Sequence, residues 1–140
     1  MDLIRSSARP AILLLMFLLA SASRGSAQHM NAKDAPCQTA GSDADETQCF
    51  LNEAQRADRE LNLVYNKIRQ VLSPSEQEQL QVAQRLWIQF RDANCAAERG
   101  LYSGGSAALM VHAACVAADT RQRTVELKVM YGWRLEKFAK

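Results

Sequence analysis

The chain is poor in the features on which most enzyme and metal-site assignments rest. It has no CxxC pair, no HExxH and no carboxylate cluster with metal-ligand spacing, so zinc, thioredoxin-like and metalloprotease chemistry lack their ligands. Histidine occurs only as His29 and His112, and no serine or cysteine stands in an elbow-like context. A nucleophile, a base and an orienting group therefore cannot be assembled. No strand-like alternation lasts more than about four residues, which excludes a sheet. The apolar run Ala11 to Ala20 is too short to span a bilayer. These absences predict a protein that is not an enzyme and that carries no metal and no cofactor.

What is present begins with a leader. Arg5 and Arg9 precede the apolar run, and small residues follow it, the pattern of a secretory signal peptide over residues 1–27. Cleavage is expected after Ala27 or, as the alternative, after Ala22. No cysteine stands near either site, so no lipid anchor and no membrane attachment is expected after cleavage, and the protein should be periplasmic or secreted. Removal takes away Arg5, Arg9 and Arg24 together with Asp2 and leaves equal numbers of acidic and basic residues. The slight basicity of the whole chain belongs to the leader. Nothing then points to a nucleic-acid partner.

The remainder has the size of one domain with one core. Residues 28–36 are polar and aperiodic and read as a flexible tail that holds His29. A helix is expected from about Asp45 to Leu72, with the acidic run Asp43, Asp45 and Glu46 suited to its start. Its buried stripe reads Leu51, Ala54, Leu61, Val64, Tyr65, Ile68, Val71 and Leu72. Ser73-Pro74-Ser75-Glu76 is a capping box with proline at the first helical position. It starts a second helix that runs to about Arg99, with Gly100 as its stop, and the short turn makes the two helices antiparallel neighbours. A loop, Tyr102, Ser103, Gly104, Gly105 and Ser106, precedes a third helix from about Ala107 to Tyr131, which Gly132 ends. Trp133 and Phe138 are expected to fold back as an apolar clip, residues 134–140 forming a C-terminal tail. The fold class is thus an all-α, antiparallel three-helix up-down bundle over residues 37–133, with a short N-terminal segment and disulfide staples.

Four cysteines, Cys37, Cys49, Cys95 and Cys115, all lie in the exported part, and an even count in an oxidising compartment predicts two disulfides. Two pairings are sterically possible. Measured from the turn near Ser73, Cys49 and Cys95 are nearly level, which favours joining them and leaves Cys37 for Cys115. The local alternative joins Cys37 with Cys49, and Cys95 with Cys115 across the glycine loop.

Gln84, Trp87, Arg91 and Cys95 fall on one helical stripe. The functional reading is a ligand platform of indole and guanidinium. The structural reading is a core Trp beside an Arg satisfied by partners such as Asp92 or Asn62. The glycine loop is the other candidate, as a protruding contact or a plain crossing between helices.

Leu61-Asn62 with Tyr65, Ala83-Gln84-Arg85 with Trp87, Phe90-Arg91-Asp92 with Cys95, Gly104-Gly105-Ser106, Cys115, and Thr120 with Arg123 and Leu127 resemble the LprI-like lysozyme-inhibitor family, over about Cys37 to Leu127. The resemblance implies an exported, disulfide-stapled helical domain. It also implies the local pairing, Cys37 with Cys49 and Cys95 with Cys115. Asn62, Tyr65, Gln84, Trp87, Arg91 and Arg123 then read as a structural network, and Tyr102 to Ser106 as a partner-binding loop. The function it implies is binding and blocking a lysozyme or another cell-wall lytic enzyme. The alternatives are an envelope or immunity-type protein that neutralises another periplasmic partner, and a glycan or small-ligand binder using Trp87 and Arg91.

Overall fold

The computed structural model describes residues 29–138; the segment read as a signal peptide, residues 1–27, lies outside them. Three helices follow a single 3-10 turn at His29–Asn31: α1 (Asp43–Gln70), α2 (Pro74–Gly100) and α3 (Ala108–Phe138). Among the described residues there is no strand, and no helix is long and apolar enough to cross a membrane.

Local chemistry sets the helix starts. At α1 the Ser42 hydroxyl accepts from the Asp45 N–H at 3.2 Å, and three acids occupy the first turn, where the unsatisfied N–H groups favour negative charge. At α2 the Ser73 hydroxyl accepts from the Glu76 N–H, while the Glu76 carboxylate accepts from the Ser73 N–H at 2.8 Å. This reciprocal box, with Pro74 at the first position, confines the link between α1 and α2 to a tight turn.

The bundle is organised around α3, which packs along α1 most closely and also along α2, whereas α1 and α2 make few close backbone approaches to each other. One part of the core, at the turn end, joins Leu61, Val64, Ile68 and Leu72 to Leu80 and Leu127. The other, at the opposite end, joins Cys37 and Phe50 to Met110, Ala113 and Ala114. The small side chains of α3 let it settle close to α1. The disulfides are Cys37–Cys49 and Cys95–Cys115, with Cα atoms 5.9 and 5.5 Å apart, and both lie at the end away from the Ser73 turn.

Two expectations need correction. The buried stripe of α1 begins at Phe50 and continues through Ala57, Leu61, Val64 and Ile68, one position earlier than the stripe begun at Leu51. Leu51, Ala54, Tyr65 and Val71 sit at its margins, only partly covered. Gly132 does not end α3, and Trp133 and Phe138 do not fold back. A mid-helix glycine costs about 1 kcal/mol relative to alanine, but beyond it Leu135 packs on the core. Arg134, in the same turn, pairs with Glu76 of α2. Together these contacts carry the helix through the glycine.

Candidate functional site

The loop between α2 and α3 is built from successive tight turns. The N–H groups of Leu101, Tyr102 and Ser103 bond back to carbonyls of Glu98, Arg99 and Gly100, and the Gly105 N–H bonds to the Tyr102 carbonyl. The Ser103 hydroxyl also donates to the Gly100 carbonyl at 2.8 Å. Gly100 is thus the last residue of α2, and the one glycine with positive φ among the described residues is Gly104, at 85°. Ser103, Gly104, Gly105 and Ser106 are exposed and Tyr102 is half-buried. Leu101 is 76% exposed and Leu109 53%, so the loop is flanked by two leucines that face water. The Cys95–Cys115 bond closes the base.

Beside that bond lies a polar cluster that the sequence did not reveal. The His29 ring meets Glu98 at 2.7 Å through Nδ1 and Asp119 at 3.6 Å through Nε2. The His29 N–H also donates to Glu98, and Asn94 donates to Asp119 at 3.2 Å. The segment read as a tail therefore carries a contact to the α2–α3 junction. Glu98 and Asp119 stand one helical turn beyond Cys95 and Cys115, a spacing that marks them as neighbours of the bond once its pairing is known. The nearby sulfurs are joined in the disulfide, so the cluster lacks thiolate ligands for a metal.

The residues grouped as a structural network divide in two. Trp87 is half-buried, with the Arg91 guanidinium 5.2 Å and that of Arg123 5.8 Å from its ring centroid. Arg91 donates to Asp92 at 2.9 and 3.0 Å, to Asp58 at 3.3 Å and to Thr120 at 3.2 Å. Arg123 donates to Gln84, which is buried, at 3.2 Å. Arg91 thus donates to three protein partners and lies beside Trp87 on a groove between α1 and α2. Asn62 is not its partner. Asn62 and Tyr65 line the same groove, of about 380 Å³, opposite Gln81 and Arg85.

The Glu76 and Glu60 carboxyls are held below their ordinary range. The Ser73 backbone N–H, then its hydroxyl, hold the Glu76 carboxyl low, with Arg134 adding a smaller pull. Lys128 does the same for Glu60 through a hydrogen bond and its charge. Both are structural pairs, and neither sits at the loop.

Compared with known proteins, residues 34–127 match the family model described as "Lysozyme inhibitor LprI". An uncharacterized protein of Rhizobium meliloti (strain 1021) is 32% identical over 135 residues, spanning 87% of this chain and 93% of its own. No solved structure matches.

Proposed function

The chain belongs to the LprI lysozyme-inhibitor family, and from that premise we propose that it is an exported protein that binds and blocks a lysozyme-type lytic enzyme. It does so with the loop Tyr102 to Ser106 and needs no chemistry of its own. The observation that carries this reading is the loop's construction: exposed, rimmed by Leu101 and Leu109, and closed at its base by the Cys95–Cys115 bond. A contact element ordered before it meets its partner loses little conformational entropy on binding.

Charge placement supports the same face. The chain after residue 27 is neutral overall, but the first turn of α1, at the same end of the bundle as the loop, carries Asp43, Asp45 and Glu46. An acidic face steers a basic enzyme toward the loop.

The test is a turbidity assay with lysozymes of several types and the chain from Gln28 onward at micromolar concentration. Inhibition that is lost in Tyr102→Ala together with Leu101→Ala supports the reading; no inhibition of any lysozyme overturns it. If a pull-down from periplasmic extract then yields one stoichiometric partner of another kind, the immunity-type alternative takes its place.

A further inference from the structure

The groove between α1 and α2 is separate from the loop, and its lining is unlike that of a packing seam. α1 contributes Leu61, Asn62 and Tyr65, and α2 contributes Gln81, Arg85 and Trp87. Asn62, Gln81 and Arg85 are exposed and have no hydrogen-bond or ion-pair partner among the described residues. Two primary amides thus stand on opposite walls, with donors and acceptors unused. Between them the half-buried rings of Tyr65 and Trp87 and the exposed Ile88 supply apolar surface. Gln84, held by Arg123, also lines the groove and is fixed in place.

That combination selects a ligand class. The groove's 380 Å³ is within the range of small-ligand sites, about 300–1,000 Å³. A lipid chain would leave the amides unpaired in an apolar contact. A polyanion would meet the Asp58 carboxylate, which also lines the groove, with Arg85 as its one uncommitted cation. A sugar ring offers C–H surface to the apolar wall and hydroxyls to the amides. An acetamido substituent adds a C=O and an N–H, which a side-chain amide can match with a donor and an acceptor at once.

We propose that the α1–α2 groove binds an N-acetylated amino-sugar oligosaccharide, with Asn62 and Gln81 as the recognition pair and Tyr65, Trp87 and Ile88 as the apolar wall. Arg91 also lines the groove, but its guanidinium is taken up by Asp92, Asp58 and Thr120, so the recognition role falls to the amides. The site is independent of the loop, so sugar binding and enzyme inhibition are separable activities.

The experiment uses the chain from Gln28 with Trp133→Phe, which leaves Trp87 as the sole indole, and triacetylchitotriose as the probe. The expected result is a saturable change in Trp87 fluorescence, with NMR shifts at the side-chain amides of Asn62 and Gln81. Asn62→Ala with Gln81→Ala should raise Kd about tenfold or more while the melting temperature holds, because both side chains are exposed. Loop substitutions should leave sugar binding unchanged. The proposal is overturned by no saturable response up to ~10 mM sugar, or by binding that the double substitution does not weaken. Equal affinity for maltotriose, which lacks acetamido groups, overturns the assignment of the ligand class.

Discussion

Arg91 of α2 and Thr120 of α3 are joined across the bundle by a 3.2 Å hydrogen bond, which holds the guanidinium beside the Trp87 ring. The same side chain reaches Asp58 of α1. One residue therefore ties all three helices, with only 13% of its side chain exposed. Arg91→Ala is expected to destabilise the protein by about 1–3 kcal/mol, since it strips partners from Thr120 and Asp58 and support from the indole. Arg91→Lys should recover only part of this, because an ammonium lacks the planar fork. Urea denaturation, read as a shift in midpoint at constant slope, measures both.

Cys95→Ala with Cys115→Ala is expected to cost about 2–4 kcal/mol of stability and to abolish inhibition, because the loop loses its base. Cys37→Ala with Cys49→Ala should cost a similar amount of stability yet leave inhibition largely intact. Calorimetry and the turbidity assay on the two variants separate the effects.

The two loop glycines should respond differently to the same change. At Gly104 a Cβ would meet nothing within 4 Å, but the residue holds φ at 85°, so Gly104→Ala should cost about 1–2 kcal/mol through backbone strain alone. At Gly105 the backbone is ordinary and the nearest atom is the Tyr102 carbonyl at 3.4 Å. Gly105→Ala should be nearly neutral. Thermal melts of the two variants make the comparison.

Glu76 gives the α1–α2 turn a pH dependence. Its carboxyl is held below the ordinary value of 4.5 by the Ser73 N–H, then the Ser73 hydroxyl, then Arg134, so the folded value lies below the unfolded one. Its stabilisation is fully present above about pH 4.5 and is lost as pH falls through the lower folded value. Glu76→Gln should flatten this part of the acid limb in a pH series of urea midpoints and leave the neutral-pH slope unchanged.

Asp43→Asn with Asp45→Asn should slow association with a basic lysozyme and weaken its dependence on salt, with little change in dissociation. Stopped-flow binding at two ionic strengths reads this out. A change confined to dissociation would place the acids in the contact itself.

What was legible in the chain was what neighbouring residues decide. The Ser73 to Glu76 box and the Arg91–Asp92 contact involve residues within three positions of each other, so their chemistry could be read from the sequence in order. The remaining contacts of Arg91 come from Asp58 and Thr120, 33 and 29 positions away, and only the packing of the helices selects them. His29 and Glu98 are 69 positions apart, beyond any local signal. The start of the α1 stripe was misplaced by one because Leu51 and Phe50 are both apolar, whereas Leu61, Val64, Ile68 and Leu72 are buried as expected. Gly132 carried a true local preference for stopping, overridden by Leu135 and Arg134 farther along. The network residues were grouped by sequence spacing, which could not show that Asn62, Tyr65, Gln84, Trp87 and Arg91 share one groove while Arg123 reaches Gln84 from α3.

Both covalent cross-links lie at one end of the molecule, so the bundle is riveted at the loop and only clasped at the Ser73 turn. Local opening runs along the gradient from the least constrained end. The last turns of α3, beyond Leu127 and held by Arg134 and Leu135, are therefore expected to open first, and limited proteolysis of the folded protein is expected to cut there before the disulfide-bonded end. The two disulfides thus anchor the end that carries the proposed contact loop, and loosening at the Ser73 end leaves both of them in place.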